Sequence, residues 1–414
     1  MERLFATYVI ETPLAVEKAA AVLAGEQSSG TFVAVPGETA ELKERFAARV
    51  EKITPRETVS EPSLPGARGK GPFQRAEIVV SWSIENFGFN LPVLVSTIQG
   101  NLYELSQFSG LKLVDLELPE SFAKHFRGPK FGVAGCRELT RVHNRPLIGT
   151  IIKPSIGLTP DQTAALVQTL VDAGIDFIKD DELMSDPPHS PFDARVDAVM
   201  RVINAHAERT GKKVMYAFNL SGELDAMQRH YEKVIRSGGT CAMISLNSVG
   251  LAGAKKICDI GALAIHGHRN GWGALNRHPW LGIEFPAYQQ LWRLAGVDQI
   301  HVNGIANKFW ESDDSVVRSI ESCLKPLCGT TALPVVSSGQ WGGQAPETFR
   351  RTRTVDLLYL AGGGILAHPN GPAAGVHSLR KWWEAAVEGL TIEQAAAKYP
   401  ELNLSLEKFG KKSA

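Results

Sequence analysis

The distribution of apolar residues separates the chain into two parts. In the first part, residues 4–10 and 75–84 alternate between apolar and polar positions, as strands with one buried face do. Residues 54–74 between them are rich in proline, glycine and charge, and are predicted to form a loop. The pattern predicts an α+β domain over residues 1–127.

From about residue 128 onward, short apolar runs alternate with segments of amphipathic helical spacing. Such βα alternation predicts a (β/α)₈ barrel over residues 128–414, with a C-terminal helical tail, and a doubly wound open sheet is the structural alternative. The eight predicted barrel strands are residues 146–152, 175–178, 214–218, 241–246, 262–265, 299–302, 333–336 and 356–360.

Composition narrows the possible partners. The 414 residues are 44% hydrophobic and 21% charged, with 44 basic and 44 acidic side chains. A net charge of zero argues against nonspecific binding to nucleic acid or to a membrane surface. The five cysteines are scattered without a paired spacing, and residues 1–4 lack a signal-peptide pattern, so we expect reduced thiols in a cytoplasmic protein.

The barrel prediction places chemistry at the carboxyl end of each strand. Polar residues follow almost every predicted strand. Because they include several lysines and histidines and an arginine, they favour a functional site at this rim of the barrel over an ordinary polar surface. In chain order they are Lys153; Lys179, Asp181 and Glu182; Asn219; Asn247; His266, His268 and Arg269; His301 and Asn303; Ser337, Ser338 and Gly339; and Gly362, Gly363 and Gly364.

The second of these strands ends in a lysine followed by three carboxylates, residues 179–182. A buried arrangement of this kind needs charge compensation, and a divalent cation would supply it. A carbamate on Lys179 would be an anionic oxygen ligand, and Asp181 and Glu182 would complete one face of an octahedral Mg²⁺ site. The alternative is a lysine–aspartate ion pair at a strand end.

Lys153 follows the first strand. A lysine beside a metal ion would give up its proton more readily, which suits a general base. The alternative role is an ion pair with a neighbouring carboxylate.

Two phosphate sites are predicted at the rim. Arg269 and His301, with the nearby histidines, suit one phosphate because arginine binds it with two hydrogen bonds and histidine adds a donor. Ser338 and Gly339, with the glycines at 362–364, suit a second phosphate held by backbone amides. Structural histidines and a tight glycine turn are the alternatives.

Six motifs in this order resemble the large subunit of ribulose-1,5-bisphosphate carboxylase/oxygenase (RuBisCO), and the resemblance covers nearly the whole chain. They are GTIIKPSIGL at 149–158, DFIKDDE at 176–182, HGHRNG at 266–271, HVNGIANK at 301–308, SSG at 337–339 and AGGGILAHPNG at 361–371. In the N-terminal part, EQSSGTF at 26–32 and Gly100-Asn101 resemble segments that reach into a neighbouring subunit's active site.

The resemblance implies a role for each matching residue. Lys153 would be the enolisation base, with His268 near the metal and Lys308 on a mobile loop. Lys179 would be the carbamylated ligand, and Asp181 and Glu182 would bind Mg²⁺. One phosphate would be held by Arg269 and His301, and the other by Thr31, Gly339, Gly362 and Gly363. Glu26 and Asn101 would come from the partner subunit. The resemblance also implies at least a homodimer with shared active sites.

Four positions depart from the carboxylase pattern. Ser155 replaces a second lysine, Trp272 a histidine, Gln340 a glycine and Phe32 a tryptophan. The chain is therefore similar to the RuBisCO-like proteins, which keep the barrel and change the reaction, and bisphosphate carboxylation is not expected.

Within that branch, the resemblance implies Mg²⁺-assisted formation of an enediolate. The reaction we favour is C–C cleavage of a phosphorylated keto sugar acid, as 3-oxo-isoapionate 4-phosphate transcarboxylase/hydrolase or decarboxylase in apiose breakdown. The alternative is a methionine-salvage enolase or isomerase, for which Trp272 and Phe32 would build an apolar methylthio pocket. A catalytically silent scaffold is the third possibility, and the retained charged residues argue against it.

Overall fold

A computed structural model describes residues 2–29, 35–327 and 329–410. It separates into two compact units, residues 1–127 with 271–295, and residues 128–270 with 296–414. In the described ranges, no helix is both long enough and apolar enough to cross a membrane.

The described residues contain thirteen strands. They are β1 (Arg3–Thr12), β2 (Arg49–Val59), β3 (Phe73–Ser83), β4 (Gly110–Glu117), β5 (Leu147–Ile151), β6 (Phe177–Lys179), β7 (Met215–Asn219), β8 (Cys241–Ser245), β9 (Ala264–His268), β10 (Leu281–Ile283), β11 (Gln299–His301), β12 (Leu333–Val336) and β13 (Leu358–Leu360).

Helices lie between most of these strands. They are α1 (Val16–Glu26), α2 (Ala40–Phe46), α3 (Leu91–Ile98), α4 (Glu120–His125), α5 (Gly132–Thr140), α6 (Pro160–Asp172), α7 (Phe192–Thr210), α8 (Leu224–Arg236), α9 (Leu246–Ile260), α10 (Trp272–Asn276), α11 (Phe285–Ala295), α12 (Asp313–Leu324), α13 (Ala345–Thr352), α14 (Gly363–Leu366), α15 (Gly371–Val387), α16 (Ile392–Lys398) and α17 (Asn403–Phe409). Short 3₁₀ helices occupy Ile84–Asn86, Leu102–Glu104, Gly342–Gln344 and Pro400–Leu402.

The first unit contains a five-stranded sheet in the order β10-β4-β1-β3-β2. The predicted loop at 54–74 is wrong in its first part, because β2 continues to Val59 and pairs with β3. Pro55 and its polar neighbours are tolerated there because β2 is an edge strand and its register shifts between Pro55 and Thr58.

Residues 271–295 lie within the span predicted for the barrel domain. In the structure they belong to the first unit, where β10 runs parallel to β4 and Lys112 of β4 donates to the carbonyls of Asn276 and His278 at 3.0 Å each. The longer segment of this unit ends at residue 127.

The second unit is built on a closed barrel in the order β11-β12-β13-β5-β6-β7-β8-β9, and every neighbouring pair is parallel. All eight predicted barrel strands are confirmed, and the open doubly wound sheet is excluded. Alternate residues of the strands fill the interior, as in other (β/α)₈ barrels. These include Leu147, Phe177, Met215, Cys241, Met243, Leu333 and Leu358, all fully buried. The polar residues after the strands therefore share one end of the barrel.

Candidate active site

Lys179 is the last residue of β6 and only 1% exposed. Its Nζ donates to the carbonyl of Asp180 at 2.8 Å and lies 3.7 Å from Oε2 of Glu182. Burial lowers the pKa of Lys179, although the carboxylates of Glu182, Asp181 and Asp180 oppose that shift. A lysine in this setting is poised to lose its proton and expose a nucleophilic amine.

Asp181 accepts a hydrogen bond from Nζ of Lys153 at 2.6 Å and from the backbone N–H of Leu183 at 3.2 Å. Burial alone would raise the pKa of Asp181, but these donors, Lys153 first, outweigh it and leave the pKa lowered. Lys153 also donates to Oγ of Ser155 at 2.7 Å. The predicted base and one predicted metal ligand are therefore in direct contact.

Asp180 lies between the predicted ligands in sequence but has a different surrounding. Its carboxylate accepts from the hydroxyl of Tyr216 at 2.6 Å, the N–H of Asn219 at 3.0 Å and Nε of Arg195 at 3.3 Å. All three side chains, Asp180, Tyr216 and Arg195, are buried. Asp180 fixes the end of β6 and leaves Asp181 and Glu182 as the carboxylates at the rim.

Asn219 lies at the end of β7. The sequence predicted that it lies at the rim but assigned it no role. Its Nδ2 donates to the carbonyls of Asp181 at 3.3 Å and Glu182 at 3.1 Å. It thereby holds the backbone that carries both predicted ligands. An asparagine directly after a barrel strand was the available signal.

Lys179, Asp181 and Glu182 are the side chains predicted to hold a divalent cation. Among the described residues, no group of three or more His, Cys, Asp or Glu side chains is arranged to hold a metal ion. Asp181 and Glu182 are two hard oxygen donors, and a third would have to come from a modified Lys179. Carbamate formation requires a neutral amine, and the lowered pKa of Lys179 shifts the amine toward that form. The residues therefore fit a magnesium–carbamate site.

His268 ends β9 on the same rim. Its Nε2 lies 3.6 Å from Oε2 of Glu182, and its Nδ1 accepts from the N–H of Asn270 at 3.2 Å. Burial, followed by the charge of Lys179, lowers the pKa of His268 to about 3. The imidazole is neutral at physiological pH, with its Nε2 directed to the predicted ligands.

His266 and His301 form a buried pair below this rim, with their Nε2 atoms 2.8 Å apart. Nδ1 of His266 is 2.8 Å from Oε1 of Gln299, so it carries the proton, and Nε2 of His301 must donate to Nε2 of His266. Nδ1 of His301 then accepts from Oγ of Ser337 at 3.0 Å. Both ring nitrogens of His301, a predicted phosphate ligand, are therefore engaged within the protein.

Arg269, the other predicted ligand of this phosphate, is 5% exposed and forms an ion pair with Glu311. Its Nη2 lies 2.8 Å from Oε2 of Glu311. The same oxygen accepts from Nδ2 of Asn303 at 2.5 Å, and Asn303 accepts from Oγ of Ser338 at 2.6 Å. The sequence analysis did not identify Glu311 as a site residue, because the distance along the chain from Arg269 hides their contact.

The loop after β11 meets the loop after β12. The N–H of Lys308 donates to the carbonyl of Ser338 at 3.2 Å, and an added Cβ on Gly339 would lie 3.2 Å from Cβ of Lys308. The Nζ of Lys308 lies 5.2 Å from the ring centre of Phe309. The structure thus brings the backbone of the predicted loop lysine to the rim and its exposed ammonium over Phe309.

Gln340 stands where a glycine was expected. Its side chain is 2% exposed, donates to the carbonyl of Ile305 at 3.2 Å and accepts from the hydroxyl of Tyr359 at 2.9 Å. The amide is thus held inside the fold. Gly363, at the start of α14, has no atom within 4 Å of the position a Cβ would take, so open space adjoins this predicted cradle residue.

The model of the RuBisCO large chain N-terminal domain matches residues 2–122, and the model of the catalytic domain matches residues 132–409. The chain belongs to the RuBisCO large-chain family.

Several relatives place it in the RuBisCO-like branch. A 3-oxo-isoapionate-4-phosphate transcarboxylase/hydrolase from Xanthobacter autotrophicus is 53% identical over 98% of this chain and 99% of its own. A 3-oxo-isoapionate-4-phosphate decarboxylase from Rhizobium etli is 48% identical over 97% of this chain and 98% of its own. The crystal structure of a RuBisCO-like protein from Burkholderia fungorum superposes with a TM-score of 0.93, at 46% identity over 99% of this chain and all of that one.

The remaining predicted residues of this RuBisCO-like protein lie in the first unit. Glu26 ends α1 and Asn101 precedes a 3₁₀ helix, and both are exposed. Gln27 lies between them: in the amide orientation that satisfies both neighbours, it accepts from the Asn101 N–H at 3.0 Å and donates to the carbonyl of Ser96 at 2.9 Å. Thr31 and Phe32 lie outside the described residues.

Trp272, a candidate wall of the methylthio pocket, has aromatic neighbours. It is 6% exposed and packs against Phe285 and Tyr288, with ring centres 5.9 and 4.7 Å away. In this RuBisCO-like protein the tryptophan is thus part of an aromatic cluster of the first unit.

Proposed function

We propose that this RuBisCO-like enzyme cleaves a C–C bond of 3-oxo-isoapionate 4-phosphate. The observation that carries the proposal is the contact between Lys153 and Asp181 at 2.6 Å, beside the buried Lys179. This arrangement joins a proton-transfer group to a site for a divalent cation. The substrate is the one that the similar proteins are named for. It is a β-keto acid, and we propose that its cleavage passes through an enediolate.

Mg²⁺ and a carbamate on Lys179 are the proposed cofactors. Asp181, Glu182 and the carbamate would hold the ion, and Asn219 keeps the backbone of the two carboxylates in place. When bound, Mg²⁺ supplies stabilisation of the negative charge that develops on substrate oxygen.

The protein's own residues then account for the movement of protons. In the decarboxylation, the bond to the carboxylate breaks, its electron pair stays on the substrate as the enediolate, and carbon dioxide leaves. Lys153 would deliver a proton to the carbon that lost the carboxylate, which gives the decarboxylated keto phosphate. Asp181 positions the Lys153 ammonium through their 2.6 Å hydrogen bond.

We further propose a homodimer with shared active sites in the cytoplasm. Exposed Glu26 and Asn101 are available for contact with a second subunit. The free thiols of Cys136, Cys241, Cys258 and Cys323 are buried, which suits a reducing compartment.

The test is product analysis with Mg²⁺ and bicarbonate present, by phosphorus and carbon NMR. We expect turnover of 3-oxo-isoapionate 4-phosphate, and at least a hundredfold loss in Lys153→Met, since general acid–base groups typically contribute about 10²–10⁴ in rate. Phosphoglycerate with glycolate identifies transcarboxylation and hydrolysis, whereas a decarboxylated phosphate identifies simple decarboxylation. Turnover of only the methylthio substrates of methionine salvage would overturn the proposal.

A further inference from the structure

Glu311 is a buried carboxylate at the mouth of the barrel, at the end of the loop that follows β11. Three donors meet it: Nη2 of Arg269 and Nδ2 of Asn303 contact Oε2 at 2.8 and 2.5 Å, and Oγ of Ser315 contacts Oε1 at 2.8 Å. Its side chain is 1% exposed. Both carboxylate oxygens are therefore satisfied by donors inside the protein.

The backbone of Glu311 is fixed as well. Nδ2 of Asn307 donates to its carbonyl at 3.0 Å, and the following residue, Ser312, caps α12 by accepting from the N–H of Ser315. The contacts of Asn307, the Ser312 cap and the bond from Ser315 therefore keep the Glu311 carboxylate in contact with Arg269. Moving it aside would leave a buried charge without its partners, which is costly.

This ion pair changes what Arg269 offers to a ligand. A bare guanidinium attracts a phosphate dianion, whereas a guanidinium paired at 2.8 Å with a carboxylate carries no net charge with its partner. A second phosphate placed here would meet the negative carboxylate in a poorly solvated site. The neighbouring polar groups, the Ser338 hydroxyl and the Asn303 amide, are uncharged and hydrogen-bond to each other, so they add no positive charge that would attract a phosphate.

We infer that Glu311 is a specificity-determining residue that makes the Arg269 end of the site select an uncharged, hydroxylated end of the substrate and reject a second phosphate. The inference deepens the proposed function, on which it rests, because it explains how a bisphosphate-binding fold would prefer a monophosphate. Glu311 acts through Arg269 and is therefore a positioning residue.

The test compares two inert ligands by calorimetry, a pentitol 5-phosphate and the corresponding pentitol 1,5-bisphosphate. Wild type should bind the bisphosphate no more than about threefold tighter than the monophosphate. Glu311→Gln keeps the size and removes the charge; its amide oxygen can still accept from Arg269 and Asn303, and its amide nitrogen would donate to the Ser315 hydroxyl. The variant should raise the preference for the bisphosphate about tenfold or more, a change of about 1.4 kcal/mol.

Two further variants separate a charge effect from a folding effect. Glu347→Gln removes an exposed carboxylate that pairs with Arg350 on α13 and should leave the ratio of affinities unchanged. In an Arg269→Gln background, Glu311→Gln should lose most of its effect, since the second phosphate then lacks its cation.

Two outcomes would overturn the inference: a wild type that already prefers the bisphosphate by tenfold or more, or an unchanged ratio in Glu311→Gln. The wild-type measurement decides even if the variant does not fold. Because neither ligand reacts, failure to turn over 3-oxo-isoapionate 4-phosphate would contradict the proposed function and leave this ratio intact.

Discussion

At the scale of single residues, the neighbouring carboxylates of Asp180 and Asp181 have different partners and different roles. Asp180 points to Tyr216 and Arg195 inside the fold, while Asp181 meets Lys153 at the rim. The sequence predicted Asp181 and Glu182 as ligands from the motif. It could not show which buried groups surround Asp180, because those groups come from other strands and helices.

Replacing Asp180 by Asn should destabilise the protein by about 3–5 kcal/mol, because Arg195 would keep a buried charge without its partner. Unfolding in urea, monitored by circular dichroism, measures the change. Asp197→Asn is the matched control: Asp197 pairs with Lys233 at the surface, so we expect a loss of about 0–1 kcal/mol. Equal losses in the two variants would refute the structural role given to Asp180.

The buried histidine pair should make stability depend on pH. Burial holds the pKa values of His266 and His301 well below 6.5, so both are neutral in the native state. The unfolded chain takes up protons below about pH 6.5 that the native state excludes. The stability from these groups is complete above that pH and is lost as pH falls toward the lowered native pKa, by up to about 1.4 kcal/mol per pH unit for each histidine.

Calorimetric melting at pH 7.5 and 5.5 should show this loss. The decrease should be smaller in His266→Gln, which removes one of the two titrating groups, and unchanged in His143→Gln, where the histidine is exposed. A His266→Gln protein that loses as much stability as wild type would show that the pair does not titrate as described.

At the scale of elements, the barrel strands were predictable because parallel strands buried on both faces are continuous apolar runs. Strand β2 was missed because it is an edge strand, mostly exposed and polar, and contains Pro55. The contact of Glu311 with Arg269 was missed for another reason: it joins loops after β9 and β11, and side-chain contacts between loops leave no periodic signal in a sequence.

The packing of α14 on α15 requires a glycine at position 375 but not at position 363. A Cβ at Gly375 would lie 2.2 Å from the carbonyl of Ile365, whereas at Gly363 it would meet open space. Gly375→Ala should therefore destabilise the protein by about 1–3 kcal/mol. Gly363→Ala should melt as wild type does and bind the monophosphate more weakly, because the methyl group would occupy the space beside the cradle.

Differential scanning calorimetry and ligand titration of the two variants give the comparison. If Gly363→Ala binds the monophosphate as wild type does, the predicted phosphate position at the start of α14 is wrong.

At the scale of the whole molecule, the two compact units do not follow the order of the chain throughout. Residues 271–295 join the first unit because β10 pairs with β4, a contact across more than 150 positions that local patterning does not contain. Subunit association is likewise a property that a single chain's pattern does not fix, and the resemblance to RuBisCO supplied that prediction.

Shared active sites can be tested by complementation. Glu26→Gln and Lys179→Ala subunits should each form inactive homodimers. After mixing and subunit exchange, half of the dimers are hybrids with one intact site each, so activity should rise to about a quarter of wild type by the symmetry of a dimer. Mixtures that remain inactive despite confirmed exchange would contradict the placement of Glu26 in a partner's site.

The central claim is that Lys179 carries a carbamate that completes the magnesium site. The most direct measurement is carbon NMR of the protein with ¹³C-bicarbonate and Mg²⁺. The account predicts one carbamate signal per subunit in wild type, its absence in Lys179→Gln, and its retention in Lys153→Met. No signal in wild type at saturating bicarbonate and Mg²⁺, or an equal signal in Lys179→Gln, would contradict it.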